Sequence, residues 1–202
     1  MHYLIDIDDT ICVTTPRWME LTLDYMRKHK FKRIRGKSKD TYHIEDSFRI
    51  SLESKQKWLA YMYDEIHFEN LEPVDGAVEF VKKLYEAGDI ITFVTARLPF
   101  TEKMTLEWLK KHFSFIKDIQ LILEFSEQKG CRMQAICNSF KAEVLDVLID
   151  NSEMRCRAVQ DAGGRAILFT GVQVDTTEDS DISTLQKAEN FEKVLEIIKE
   201  MK

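Results

Sequence analysis

No stretch of this sequence is apolar for the length a bilayer demands, and its first residues lack the basic region and small-residue cleavage site of a signal peptide. A membrane partner is therefore excluded from the expectation, and the cytoplasm is the expected compartment. The four cysteines, Cys12, Cys131, Cys137 and Cys156, form no CxxC pair, so neither a zinc site nor a redox motif is indicated, and reduced, mostly buried thiols are expected. Internal repeats and long low-complexity segments are missing too. So is a net positive charge: the formal charge is −6, which argues against a general nucleic-acid binder. The charge is uneven, however. Residues 27–39 are strongly basic and residues 175–181 acidic. The basic run reads either as a solvated helix end and loop or as an electrostatic funnel for an anionic substrate or a nucleic-acid end. A chain of 202 residues can bury a proper core as one domain, or as one domain carrying a modest insertion.

What is present is concentrated first at the N-terminus. The apolar run Tyr3-Leu4-Ile5 leads into Asp6-Ile7-Asp8-Asp9-Thr10, the pattern of a buried parallel strand that delivers carboxylates to the open end of a sheet. Carboxylates are too costly to bury unpaired, so Asp6 and Asp8 are expected to face a cation or phosphate-binding groups. Strand alternation directs them toward the same side, and ligands of open α/β sheets sit at the carboxyl ends of strands. Two acids aimed at one space suggest divided labour, one attacking phosphorus and the other moving a proton, with a divalent cation offsetting their repulsion. The plainer alternative is an acidic strand-to-loop turn in which Asp9 and Thr10 serve only as caps.

Further along, Thr15-Pro16 marks a helix start, with Thr15 as N-cap, and apolar residues carry that helix to about Lys30. A second helix is expected over residues 52–65. Residues 13–72 contain no convincing strand and read as a small helical insertion, whose aromatic residues Trp18, Tyr25, Phe31, Tyr42, Phe48, Trp58, Tyr61, Tyr63 and Phe68 chiefly form its own packing. Then come a helix over 77–87 closed by Gly88, a strand over 90–94 ending at Thr95-Ala96-Arg97, a helix over 101–113 and a strand over 119–123. Residues 144–149 form a strand aimed at Asp150-Asn151, followed by a helix over 153–162, a last core strand over 166–169, and a terminal amphipathic helix marked by Leu185, Ala188, Phe191, Val194, Leu195 and Ile198.

Repeated strand-then-helix units imply an α/β fold, a Rossmann-like, mostly parallel sheet with helices on both faces, built from residues 1–12 and 73–202, with the helical cap over 13–72 inserted after the first strand. Asp6, Asp8, Thr95 and Asp150 then surround one crevice, which Lys141 reaches from a neighbouring loop. Three acids, a hydroxyl and a lysine suit Mg²⁺ plus a phosphoryl group.

Four pieces, Asp6-Ile7-Asp8-Asp9-Thr10, Thr95 in Phe93-Val94-Thr95-Ala96-Arg97, Lys141, and Asp150 in Leu148-Ile149-Asp150-Asn151, occur in the order found in the haloacid dehalogenase (HAD) superfamily, which the chain resembles over roughly residues 3–170. The helical insertion, the Thr-Ala-Arg signature and the short Lys141-to-Asp150 spacing most resemble its 5′-nucleotidase-like branch. The resemblance implies that Asp6 is the nucleophile forming an aspartyl-phosphate. It implies that Asp8 protonates the leaving oxygen and then deprotonates water. Thr95, Ala96, Arg97 and Lys141 are the implied phosphate- and substrate-binding set, and Mg²⁺ is held by the carboxylates of Asp6 and Asp150 and the backbone carbonyl of Asp8. The acid at Asp8 matters for reaction type, because the superfamily's dehalogenases and P-type pumps lack it. Asn151 departs from the Asp-Asp pattern frequent in this branch, leaving Glu153 as a compensating acid, and Lys129 competes with Lys141 as the phosphate-binding lysine. The expected activity is Mg²⁺-dependent phosphomonoester hydrolysis on a small phosphorylated substrate, a nucleoside monophosphate first. The alternatives are a polynucleotide-end phosphatase, with nucleic acid the less favoured partner, and a non-catalytic phosphate-binding module.

Overall fold

The computed structural model describes residues 1–34, 47–123, 146–161, 163–175 and 184–201. Lys129 and Lys141, Cys131 and Cys137, Tyr42 and the basic run beyond Ile34 lie outside the described residues. Contacts divide the chain into two compact units, one of residues 1–13 and 72–202 and one of residues 14–71.

The larger unit is organised by strands whose apolar runs are buried on both faces, as parallel strands require. They are β1 (His2–Asp6), β2 (Ile90–Thr95), β3 (Gln120–Leu123), β4 (Asp146–Asp150), β5 (Arg165–Phe169) and β6 (Gln186–Ala188), in the spatial order β3-β2-β1-β4-β5-β6, with every pairing parallel. The fold is therefore the mostly parallel α/β sheet anticipated from the strand-helix alternation. Register explains why the acids meet. Asp6 pairs with Val94 on one side, and on the other it lies one residue beyond the Ile5–Ile149 pair, level with Asp150 on the adjacent strand. Neighbouring strands are about 4.8 Å apart, so the two carboxylates are near neighbours by construction.

Alternation places Asp6 on the face of Leu4 and Asp150 on the face of Leu148. Leu4 and Leu148 share a buried cluster with Val94, Val159, Ala166, Leu168 and Leu185. Cys156 and Val159 bring to this cluster the helix that follows β4. Elsewhere in the unit a stack of Phe80, Phe191 and Phe169 joins two helices to β5, with ring centroids 4.8 Å apart in both contacts. Phe93 of β2 lies 5.4 Å from Phe113.

Among the described residues the helices in order are α1 (Thr15–Lys28), α2 (Leu52–Met62), α3 (Glu65–Glu69), α4 (Ala77–Glu86), α5 (Glu102–His112), α6 (Glu153–Asp161) and α7 (Phe191–Met201). Four boundaries differ from expectation. The N-cap of α1 is Thr14 rather than Thr15, with Pro16 inside the first turn. The second expected helix stops at Met62, and Asp64 caps a new short helix by accepting the Ile66 N–H at 3.1 Å. Thr101 does not cap α5 with its side chain; it ends a 3-10 turn over Pro99–Thr101 and its hydroxyl donates to the Leu98 carbonyl at 2.8 Å. The terminal helix begins at Phe191, because Leu185 is a buried residue preceding β6 and Ala188 belongs to that edge strand.

The smaller unit has its own core: Leu21, Tyr25, Met26, Trp58 and Met62 are buried together, flanked by Trp18, Phe31, Phe48, Ile50 and Tyr61. The indole N–H of Trp58 donates to the Thr22 hydroxyl at 3.2 Å, so this large ring is buried with its polar atom satisfied. Trp18, Tyr63 and Phe68 form a second set of ring contacts.

Candidate active site

Immediately after β1 the chain coils around one carbonyl. The oxygen of Ile7 accepts the N–H groups of Thr10, Ile11 and Cys12 at 3.3, 3.1 and 2.9 Å, and the Asp9 N–H donates to the Cys12 carbonyl at 2.8 Å. Asp9 adopts a left-handed conformation at φ 58°, which aspartate tolerates better than most residues. This coil turns Thr10 back onto the strand end. Its hydroxyl donates to Asp6 Oδ2 at 3.2 Å and accepts the Asn151 backbone N–H at 3.1 Å, tying the ends of β1 and β4 together.

Asp6 and Asp150 are buried, and the guanidinium of Arg155 lies against both. Its Nη1 donates to Asp6 Oδ1 at 2.8 Å and to Asp150 Oδ1 and Oδ2 at 3.2 and 3.0 Å. Asp150 Oδ1 also accepts the Ser152 N–H at 2.7 Å. Burial, and next the Asp150 carboxylate, push Asp6 well above the usual carboxylate range, while Arg155 pulls the other way. Burial likewise raises Asp150, opposed by Arg155 and the Ser152 N–H. Even with a guanidinium present, the pair is short of positive charge.

Asp8 occupies a different setting. Arg97 grips it through Nε, 3.1 Å from both carboxylate oxygens, and Nη2, 2.8 Å from Oδ1, while the Thr95 hydroxyl donates to Oδ2 at 3.2 Å. The Arg97 side chain is only 2% exposed, whereas that of Asp8 is 23% exposed. Arg97 Nη1 also donates to the Thr105 hydroxyl of α5 at 3.2 Å, and Nη2 lies 3.7 Å from Cys12 Sγ. Burial opposes the charge on Arg97, but the Asp8 carboxylate more than offsets it and raises its affinity for the proton.

The structure thus brings Asp6, Asp8, Thr95, Arg97 and Asp150 to neighbouring strand ends, in two groups. Thr95 and Arg97, expected to hold phosphate, both engage Asp8; the Thr95 hydroxyl additionally accepts the Arg97 backbone N–H at 3.2 Å. Ala96 is half-buried and contributes no polar side-chain atom, so only its backbone is available to a phosphoryl oxygen. The amide of Asn151 donates to the Gln173 carbonyl at 2.7 Å, anchoring the loop after β5, and Glu153 pairs with Arg157 at 2.7 Å. Sequence reasoning missed Arg155 and Thr105, and it placed Thr10 in the motif without its link between the two strand ends. A signal for Arg155 did exist: a cation in the first turn of a helix opposes the macrodipole and needs nearby anions.

Among the described residues no three His, Cys, Asp or Glu side chains converge as a metal cluster. Asp6 and Asp150 offer two carboxylates, a donor set suited to a hard cation that keeps water and substrate oxygens in its shell.

A family model described as 5′ nucleotidase, deoxy (pyrimidine), cytosolic type C protein matches residues 1–201. The chain belongs to this family. It is a HAD-type 5′-nucleotidase family member and, as such, a phosphatase. Among curated proteins none matches the sequence. Solved structures share the fold at low identity. A HAD family hydrolase from Deinococcus radiodurans R1, determined with bound phosphate and sodium, superposes with TM-score 0.70 at 11% identity, covering 98% of this chain and 95% of that one. A haloacid dehalogenase-like hydrolase from Streptococcus pneumoniae gives 0.66 at 10% identity, covering 98% and 97%. A hydrolase from Pseudomonas syringae gives 0.64 at 13%, covering 100% of both chains. No helix among the described residues of this nucleotidase family member is long and apolar enough to cross a membrane.

Proposed function

We propose that the chain is a Mg²⁺-dependent 5′-nucleotidase that hydrolyses a nucleoside monophosphate, a deoxypyrimidine nucleotide first, through an aspartyl-phosphate on Asp6. The observation that carries this reading is the buried Asp6–Asp150 pair at adjoining strand ends beside the separately held Asp8. The family description supports the nucleotide class.

In this reading an Asp6 carboxylate oxygen attacks phosphorus as the bond to the nucleoside oxygen breaks, and Asp8 delivers a proton to that leaving oxygen. Asp8 then takes a proton from water, which attacks the same phosphorus and breaks its bond to Asp6, releasing phosphate. Of the three carboxylates Asp8 is the one with appreciable exposure, as a group that exchanges protons with leaving group and water needs to be. Arg97 and Thr95 fix its orientation. Asp6 and Asp150, with the Asp8 backbone carbonyl, would hold Mg²⁺. Both carboxylates are pushed upward by burial, and a divalent cation is what such a pair lacks. When bound, the ion supplies positive charge that lets anionic substrate and anionic nucleophile approach. Lys141 and the backbone after Thr95 are the proposed contacts to the phosphoryl oxygens.

The test is phosphate release from deoxy- and ribonucleoside monophosphates, sugar phosphates and a 3′-phosphorylated oligonucleotide, with Mg²⁺ and with chelator. Release from mononucleotides only with Mg²⁺, and with shallow salt dependence, is expected. Preference for the oligonucleotide with a steep salt dependence, the signature of counterion release, would reassign the substrate.

A further inference from the structure

We propose that Arg155 is a built-in counter-cation for the Asp6–Asp150 pair, compensating it when no metal is bound and competing with the divalent cation for the same carboxylate oxygens. The inference rests on the reading above that these two carboxylates hold the metal.

Three observations lead to it. The first is position: Arg155 is the third residue of α6, where the helix macrodipole disfavours a cation, and only opposing anions justify it there. Secondly, one nitrogen, Nη1, makes contacts of 2.8, 3.2 and 3.0 Å with three oxygens from two strands, so the guanidinium spans the gap between the carboxylates rather than flanking it. The third is exposure. The Arg155 side chain retains 18% of its surface, against 3% for Asp6 and none for Asp150, so the cation has a route out that its partners lack. A small divalent cation such as Mg²⁺ binds carboxylate oxygens at about 2.0–2.1 Å, inside the 2.8–3.2 Å at which Nη1 sits, and it repels a guanidinium aimed at the same lone pairs. Loading therefore requires Nη1 to withdraw. The arrangement keeps a buried pair of acids from standing uncompensated in the metal-free protein, at the expense of metal affinity.

The test is Mn²⁺ binding, followed by the loss of the free-ion EPR signal, to the full chain and to Arg155→Met, Arg155→Lys and Asp150→Asn, with thermal melting of each in EDTA. Arg155→Met is expected to bind Mn²⁺ roughly tenfold more tightly than the unsubstituted protein. In EDTA its melting midpoint should be lower by about 5 °C and be recovered by saturating Mn²⁺. Arg155→Lys, which keeps the charge without the planar fork, should fall between the two in affinity, and it carries the test should Arg155→Met fail to fold. Unchanged or weaker Mn²⁺ binding in the Arg155 variants, while Asp150→Asn abolishes it, would overturn the proposal and leave the metal reading intact. Undiminished binding in Asp150→Asn would place the ion elsewhere and overturn both.

Discussion

At the residue scale, three acids near one another have been given three environments. Asp6 is pressed toward neutrality by burial and by Asp150, and the proposed chemistry needs it ionised, which assigns the missing charge to a cation. Asp6→Asn is expected to lower turnover by on the order of 10⁴ or more with the fold retained, measured as phosphate release alongside circular dichroism. In the proposed reaction Arg97 acts through Asp8, which it holds. Arg97→Met is expected to lower kcat by about a hundredfold with little change in KM, since a carboxylate displaced by an ångström loses its alignment. Arg97→Lys should not rescue it, because an ammonium cannot reproduce the paired Nε and Nη2 donors. A Lys variant with full kcat would reduce Arg97 to a nonspecific positive charge. Asp6, Thr95 and Asp150 were legible as rim residues because each ends an apolar strand, and Asp8 and Arg97 follow two residues beyond β1 and β2. Arg155 was harder: its place in the first turn of α6 signals a need for anions and Asp150 lies five positions away, but its other partner, Asp6, lies 149 positions away and no local pattern names it. The contacts that Thr95 and Arg97 make with Asp8 were equally hidden, because a strand pattern gives the rim a residue reaches but not which neighbour it grips.

At the element scale, the short loops at the ends of β1 and β4 are locked to each other by the Thr10 hydroxyl, so the positions of Asp6 and Asp150 are set jointly. Thr10→Val keeps the shape and removes both hydrogen bonds; the cost expected is about 1–3 kcal/mol in urea unfolding, the range for buried groups left unpaired. In the smaller unit Trp58 is the largest side chain of the core cluster, and Trp58→Ala should destabilise that unit by about 3–5 kcal/mol, read from its helical signal on denaturation. Elements with long apolar runs were readable from the sequence. Those without were not: β6 is the three residues Gln-Lys-Ala at a sheet edge, too short and polar to carry a strand pattern, and the apolar residues flanking it mimic the start of α7. The break at Met62 depends on Asp64 as a cap, a signal masked by the continuing apolar recurrence toward Ile66.

At the scale of the whole molecule, stability should depend on pH through two half-buried histidines. Burial, and then Lys111, lower the proton affinity of His112 below its usual value of 6.5, and burial also lowers His67. A depressed histidine is neutral in the folded chain while the unfolded chain takes up a proton, so stability is complete above pH 6.5 and falls as the pH drops through that value toward the folded one. His112→Gln should flatten this loss in unfolding curves recorded on either side of pH 6.5; an unchanged slope would exclude His112 as a contributor. The architecture was the most legible level of all, because strand-helix alternation leaves few ways to wind a parallel sheet, and that winding brings the strand ends carrying Asp6, Thr95 and Asp150 side by side.

The central claim is that Asp6 is the nucleophile, and it is tested most directly by trapping. The chain is mixed with a deoxypyrimidine nucleoside monophosphate and Mg²⁺, quenched in acid, reduced with borohydride, which converts an acyl phosphate but not a free carboxylate, and sequenced by mass spectrometry. The account predicts substrate- and Mg²⁺-dependent reduction at Asp6 and at no other acid. Rapid Mg²⁺-dependent phosphate release with Asp6 never labelled, and retained in Asp6→Asn, would contradict it.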